Sequence, residues 1–506
     1  MINLEDLIPE NMKAFDVPQF VKENKPWSAY QENFFTAVEQ SSTNLVLEAV
    51  AGSGKTTTIL EAMRRLKTSN VLFLAFNKSI QLELASRVPL GVTTKTLNAL
   101  GHGIISPHLT NRKINSYKPQ NILRAMLKDD VYKEYGWELA KVLSSARTHG
   151  IGVRTSLDFD VWYDFLMNSS MFIPDGMDEK FAEILRLAFD QMLAEWKENF
   201  DFDDQLYIPI FMNYTFPKFD VVFIDEAQDL SYINHMQLQK LSERGARIIA
   251  VGDSRQAIYG FRGADQRSMS NLADKFAATT LPLSICYRCG KSIVRHAQSI
   301  VPYIEFADTQ IEGTIVTHDE YPPSASYEHK SMIICRNNAP LFSLALQFLR
   351  ERVPCYMVMD IGKDLEKLID RMGASSAAQL KARLLAWRDE ESEKLRAKHR
   401  EHLIPMVEDK VDCLLPFCEE YQFVLQIKSA LQQLTASTFG PRLSSVHKAK
   451  GLEADHVYIL RPDLMPSQQA MRASENGDEA PMMQEENLRY VAITRAKSFL
   501  HYLPRQ

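Results

Sequence analysis

Ala49-Val50-Ala51-Gly52-Ser53-Gly54-Lys55-Thr56-Thr57 decides the reading of this chain. The stretch follows a strand-like run, Asn44-Leu45-Val46-Leu47-Glu48-Ala49, and opens a helix-like one. Glycines let a backbone wrap closely around phosphates, so that its N–H groups and the helix N-terminus point at them. Lys55 would then reach the β- and γ-phosphates and Thr56 would hold Mg²⁺. The segment therefore predicts ATP binding through Ala51, Gly52, Ser53, Gly54, Lys55, Thr56 and Thr57. Ala49 replaces the first Gly of the strictest pattern. A dinucleotide site needs GxGxxG, and here Gly52-Ser53-Gly54 runs on into Lys55-Thr56-Thr57. The plain alternative is a Gly-rich turn.

Working outward, Val221-Val222-Phe223-Ile224-Asp225-Glu226-Ala227-Gln228-Asp229 is a buried-strand pattern that ends on acids. One carboxylate at such a strand end can hold Mg²⁺, and the next can orient and activate the attacking water. Asp225 is assigned to metal and Glu226 to water. Alone, an acidic strand end is commonplace; after a phosphate loop it means an NTPase.

Further apolar runs, Val71-Leu72-Phe73-Leu74-Ala75-Phe76 and Arg247-Ile248-Ile249-Ala250-Val251, suit strands buried on both faces of a parallel sheet. A second set comprises Leu281-Pro282-Leu283, Ser331-Met332-Ile333-Ile334-Cys335, Cys355-Tyr356-Met357-Val358 and His456-Val457-Tyr458-Ile459-Leu460. The fold class expected is α/β, with two parallel-sheet cores each interrupted by a mainly helical insert. The first core takes residues 1–100 and 201–277, and its insert takes 101–200. The second takes 278–365 and 438–506, with a reduced insert at 366–437. Dense mixed charge from Trp387 to His402 reads as a solvated helix face. The Pro/Ser/Asn/Gly/Asp-rich stretch from Arg461 to Gln484 reads as a flexible surface loop.

Composition bounds the function. In 506 residues, 45% hydrophobic and 24% charged content is ordinary for a globular chain and excludes fibrous or mostly disordered classes. Acids outnumber Lys plus Arg by 64 to 58, so any nucleic-acid site must be a local groove rather than bulk charge. Six cysteines make no disulfide scaffold, and only Cys286 and Cys289 have CxxC spacing. No apolar run reaches the roughly 18 residues a bilayer span needs. Met1-Ile2-Asn3-Leu4-Glu5-Asp6 lacks a signal-peptide layout, so a cytoplasmic protein is expected.

The order of motifs resembles superfamily 1A helicases of the UvrD/Rep/PcrA type, including the core of eukaryotic F-box helicases, from about Tyr30 to Lys497. The resemblance implies two RecA-like cores, with ATP and Mg²⁺ between them. Gln31 would read adenine. Phe76, Asn77 and Lys78 fall in the first DNA-contacting motif, and Thr94, Thr96 and Asn98 in the next, where many relatives carry His at position 98. Phe202-Asp203-Asp204-Gln205-Leu206-Tyr207 is similar to a short element placed before the acidic strand.

In Val251-Gly252-Asp253-Ser254-Arg255-Gln256-Ala257-Ile258-Tyr259-Gly260-Phe261-Arg262 the family implies a γ-phosphate sensor at Gln256. Tyr259 and Phe261 would face single-stranded DNA, with Arg262 on its phosphates. Aromatic stacking grips any base, at about 1–3 kcal/mol each. The plain alternative makes both rings core aromatics. By the same resemblance Tyr287 packs on adenine and Arg288 contacts the γ-phosphate. His447 and Lys450 would lie near DNA or the site between the cores, Glu453 near the ribose, and Arg495 would be the second arginine finger. Lys55, Arg288 and Arg495 around one phosphate would neutralise charge spreading in the transition state.

The function expected is an ATP-dependent DNA helicase moving 3′ to 5′ on single-stranded DNA and at single-strand/duplex junctions, monomeric in isolation and off the membrane. Three rivals are a translocase that remodels protein–DNA complexes, an RNA helicase, and a nucleotide-gated scaffold without turnover. Repair, replication and recombination are not distinguished.

Overall fold

The computed structural model describes residues 27–169, 171, 173–174, 176–259, 267–358, 361–397 and 400–504. The first sheet is built from β1 (Leu45–Ala49), β2 (Val71–Ala75), β3 (Thr93–Thr96), β4 (Val221–Ile224), β5 (Arg247–Gly252) and β6 (Thr279–Leu283). Its six strands run in the order β3-β2-β4-β5-β1-β6, and every pairing is parallel. Side chains alternate across a strand, so Val46, Leu72, Leu74, Val222, Ile224 and Ile248 enter one core. Leu45, Leu47, Phe73, Phe223 and Ile249 enter the other. That two-sided burial is why the central strands read as unbroken apolar runs.

A short pair, β7 (Ile285–Cys286) with β8 (Glu305–Phe306), leads into the second sheet. This sheet comprises β9 (Thr314–Thr317), β10 (Met332–Cys335), β11 (Tyr356–Val358), β12 (Arg442–Ser445), β13 (Ala454–Leu460) and β14 (Ala496–Leu503). It is also six-stranded and parallel, in the order β11-β12-β10-β13-β14-β9. Two parallel-sheet lobes are therefore present, as the sequence indicates. One strand belongs elsewhere: Leu281-Pro282-Leu283, expected in the second core, pairs with β1 in the first. Pro282 cannot donate to a ladder, and the outer position of β6 leaves it no second neighbour to serve.

Between β3 and β4 the first insert packs its helices around Trp162, Phe181, Leu185 and Phe189 in the same core as the sheet face. Helix formation there begins at Leu97, four positions before the expected boundary, because Thr96 Oγ1 accepts from Ala99 N and caps it. Between β11 and β12 the second insert starts with helix Ile361–Met372, again earlier than expected. On its helix Ala377–Ala397, Arg388–Asp389 and Lys394–Glu390 pair on the surface. The 461–484 stretch is not a loop throughout. Ser467 caps helix Gln468–Glu475, and Pro481 occupies the first turn of helix Ala480–Ile493, where a missing N–H costs nothing. No helix among the described residues is long and apolar enough to cross a membrane.

Packing of the insert on the first lobe can be tested at two glycines of helix Leu97–Ile105. A Cβ at Gly101 would lie 1.7 Å from the Gln205 carbonyl oxygen, whereas at Gly103 the nearest atom is Lys95 Nζ at 3.6 Å. Gly101→Ala should destabilise by about 3 kcal/mol, and Gly103→Ala should stabilise by about 0.5–1 kcal/mol. Urea midpoints of the two variants check the opposite signs.

Candidate active site at the junction of the lobes

Because β4, β5 and β1 are parallel neighbours, the loops at their carboxyl ends meet along one edge, where such sheets place ligands. After β1, Gly54 is left-handed at φ 81° and caps helix Lys55–Arg65. The first N–H groups of that helix have no partner inside it and face the loop. A Cβ at Gly52 would fall 2.5 Å from Arg288 Cβ and 3.1 Å from Cys286 Sγ. Only glycine lets this loop touch the second lobe, and Tyr287 N donates to its carbonyl at 2.8 Å. Lys55 Nζ donates to Ala49 O at 2.7 Å and stands 3.9 Å from Asp253 Oδ2.

After β4 come Asp225 and Glu226, held together by a bond from Glu226 N to Asp225 Oδ1 of 2.9 Å. Glu226 has φ 53°, a left-handed conformation uncommon outside glycine and typical of functional turns. Burial, then the Glu226 charge, push Asp225 up to about 7, with Lys55 opposing. Burial also pushes Glu226 upward, but Lys55, Lys450, the bond from Gln228 and Arg495 together hold it below the usual range. After β5, Asp253 accepts from Gln256 Nε2 at 2.6 Å, and burial raises its carboxyl against the pull of Lys55.

The second lobe brings the arginines. Arg495 is 1% exposed; its Nη2 donates to Gln256 Oε1 at 3.3 Å and its Nη1 to Leu452 O at 3.1 Å. Burial, then Arg288, push it down to about 10, so it stays a cation at neutral pH. Arg288 Nε lies 2.6 Å from Glu453 Oε2 in an ion pair, and Lys497 Nζ lies 2.7 Å from the other oxygen. Glu453, expected near a ribose, is thus held by two cations. Ser53 Oγ is buried and finds no hydrogen-bond partner among the described residues. Tyr287 is exposed beside it. Gln31 is buried: its Oε1 accepts from Ser28 N at 3.0 Å and its Nε2 donates to Thr58 Oγ1 at 3.0 Å. Its amide is therefore engaged within the first lobe.

Among the described residues no three His, Cys, Asp or Glu side chains gather to hold a metal. The donor set fits Mg²⁺ nonetheless. That ion takes one or two protein oxygens beside phosphates and water, and Asp225 and Glu226 side by side call for a proton or a cation between them. All six cysteines are free and buried.

The remaining expected residues lie past β2, on β3 and the helix after it, past β5, and on the second lobe after β12. Phe76, just past β2, is exposed. Asn77 Oδ1 caps Ile80 N at 2.9 Å, Lys78 Nζ donates to Gln81 Oε1, and Gln81 Nε2 reaches Thr94. Asn98 Nδ2 donates to Phe202 O at 2.7 Å. Tyr259 Oη donates to His447 O at 3.1 Å, with Lys450 Nζ 4.8 Å from its ring centroid. Lys450 is turned away from the surface: its ammonium sits 2.6 Å from Asp229 Oδ2 and 2.6 Å from Gln256 O, pinning one lobe to the other. Phe261 and Arg262 lie outside the described residues.

Sequence reasoning missed several participants. Asp253 ends a strand as Asp225 does, so the same logic would have found it. Phe202 stands 52% exposed between Asp201 and Asp203, both gripped by the buried Arg147. Tyr490 and Asn487 stand a few residues before Arg495, in the stretch that resembles the last helicase motif, but the resemblance gave them no role of their own.

Comparison with known proteins gives two family models, the UvrD/REP helicase N-terminal domain over residues 30–277 and the UvrD-like helicase C-terminal domain over 386–503. F-box DNA helicase protein 1 of Schizosaccharomyces pombe is 25% identical over 504 residues, covering 90% of this chain and 55% of that protein. ATP-dependent DNA helicase PcrA of Bacillus subtilis is 23% identical over 52% of this chain and 38% of its own length. ATP-dependent DNA helicase srs2 of S. pombe is 37% identical over 21% of this chain and 13% of its own. The chain thus spans about half the length, or less, of these relatives.

Asp225 supplies a pH test. Its folded pKa lies near 7, against an ordinary 3.8, so between those values the folded state holds the extra proton. Its contribution to stability is complete below about pH 4 and is lost as pH rises to about 7. In metal-free protein, Asp225→Asn should remove this fall and raise the melting midpoint above pH 7, which a pH series of thermal melts checks.

Proposed function

The chain belongs to the UvrD/REP helicase family, and from that premise we propose that it is an ATP-dependent DNA helicase that moves 3′ to 5′ on single-stranded DNA. One observation carries the proposal. Lys55, Asp225 and Glu226 stand on the first lobe, and Arg288 and Arg495 on the second, around the contact that Gly52 makes possible. A site divided in this way is complete only when the lobes are closed, so turnover is tied to their movement.

Each side chain has a task its surroundings support. Lys55 and the helix N-terminus behind Gly54 bind the phosphates. Thr56 and Asp225 would hold Mg²⁺, which supplies charge neutralisation on the transferred phosphoryl group. Glu226 is kept ionised by the cations around it and accepts a proton from the attacking water. Gln256, anchored by Asp253 and touched by Arg495, reports whether the second lobe is in place. Arg288 and Arg495 stabilise the charge that develops on the phosphoryl oxygens.

Strand binding belongs to the other end of the same sheet edge. Phe76 and Phe202 are exposed aromatics on a scaffold with capped helices and buried ion pairs, which suits stacking on bases of any sequence. The buried Arg147, which bonds Asp201, Asp203 and Asp204, fixes the backbone that presents Phe202.

Three experiments test the reading. Lys55→Ala should lower DNA-stimulated ATP hydrolysis at least about 10²-fold with an unchanged melting profile; near-normal turnover overturns the phosphate-site assignment. Wild-type protein should displace the strand of a duplex with a 3′ tail and leave the 5′-tailed one intact. Phe202→Ala should weaken single-stranded DNA binding by about 1–3 kcal/mol without changing the KM for ATP.

A further inference from the structure

Helix Ala480–Ile493 starts at the surface of the second lobe and buries its later turns toward Arg495, and two of its side chains cross to the first lobe. Tyr490 is fully buried, and its hydroxyl accepts from Ala51 N, in the middle of the phosphate loop, at 2.9 Å. The same hydroxyl points at Asp253 Oδ2, 3.5 Å away, the oxygen that also receives Gln256 Nε2 at 2.6 Å and faces Lys55 Nζ at 3.9 Å. One helical turn earlier, Asn487 Nδ2 donates to Ser254 O at 3.3 Å and Ala257 O at 3.2 Å, on either side of Gln256.

These contacts are made by backbone and carboxylate groups of one lobe with a side-chain tip of the other. A hydroxyl can accept from an amide and donate to a carboxylate at once, which no other uncharged ring of that size can do. Ala51 is itself buried, so its N–H has no water to turn to if the tyrosine oxygen is removed. At 3.5 Å the Asp253 contact is longer than an ordinary O–H···O bond, so a small advance of the helix would tighten it.

We propose that Tyr490 is a positioning residue, through which the second lobe sets the phosphate loop and Asp253 in register with Arg495. The inference rests on the ATP-hydrolysing reading of the junction. The Tyr490 ring belongs to the apolar core beneath Val50 and Ala51, so removing the hydroxyl alone separates positioning from packing. Burial and Asp253 push the phenol well above its ordinary range, which keeps the proton available for donation.

Tyr490→Phe is the test, made in the full chain with three measurements. The melting midpoint should stay close to that of the wild type. Amide hydrogen exchange of the phosphate-loop peptide containing Ala51 should quicken, by about ten-fold or more. DNA-stimulated kcat should drop by about ten-fold or more while the KM for ATP moves less than about two-fold. Unchanged exchange and unchanged kcat overturn the proposal. So does a joint fall of midpoint, kcat and affinity for a non-hydrolysable ATP analogue, which marks the tyrosine as a packing residue. If the wild type shows no DNA-stimulated hydrolysis, the reading of the junction fails instead, and the exchange measurement alone decides whether Tyr490 holds the loop.

Discussion

The absence of a side chain at position 52 is the constraint from which the rest of the junction follows. A single Cβ there would overlap the base of Arg288 and press on Cys286. With hydrogen in its place, the phosphate loop lies directly on the strand end of the other lobe, and Tyr287 N closes onto its carbonyl. The loop after β1 and the segment that carries Arg288 are thereby made neighbours by backbone contact. Long side chains could bridge a wider gap, but with several rotatable bonds each they would be poorly fixed.

Once the loop is placed, the electrostatics divide between the lobes. The first lobe lines its sheet edge with Asp225, Glu226, Asp229 and Asp253, all at or next to strand ends and mostly buried. Burial first, and the neighbouring Glu226 charge after it, raise the carboxyls of Asp225, Asp229 and Asp253. The second lobe answers with Lys450 and Arg495, also buried. Neither surface is comfortable alone, because charges out of water need partners. The junction is therefore a place where each lobe solves the other's desolvation problem.

How much of this was legible in the sequence depended on whether the controlling interaction was local. The phosphate loop, the acidic strand end at Asp225 and the unbroken apolar runs of β1, β2, β4 and β5 each carry their reason within a few residues, and both sheets were read from such signals. The strand Thr279–Leu283 was placed in the wrong core because an apolar run does not name its pairing partner; Pro282 was the clue that it must lie at an edge. Gln31 was expected to read adenine, and what its own neighbourhood adds is that Ser28 makes it the closing residue of a capping box. Tyr490 and Lys450 lie beyond local reasoning, since their partners Ala51 and Asp229 are 439 and 221 positions away.

The strengths of the two sets of inter-lobe and intra-lobe ion pairs also predict where the junction gives way. Lys450 and Asp229 are nearly inaccessible, with side-chain exposures of 7% and 2%. Removing one member of such a pair costs on the order of 3–5 kcal/mol, so this side behaves as a pin. Arg288 and Glu453 are both within the second lobe and partly solvated, at 20% and 39%, and pairs of that kind contribute only about 0–1 kcal/mol. Arg288 can therefore leave Glu453 for a more highly charged phosphate at little cost, whereas Lys450 has no such freedom. A nucleotide can move the lobes only by the difference between its contacts in the two arrangements, and on the proposed function Arg288 would be a residue whose partner changes between them.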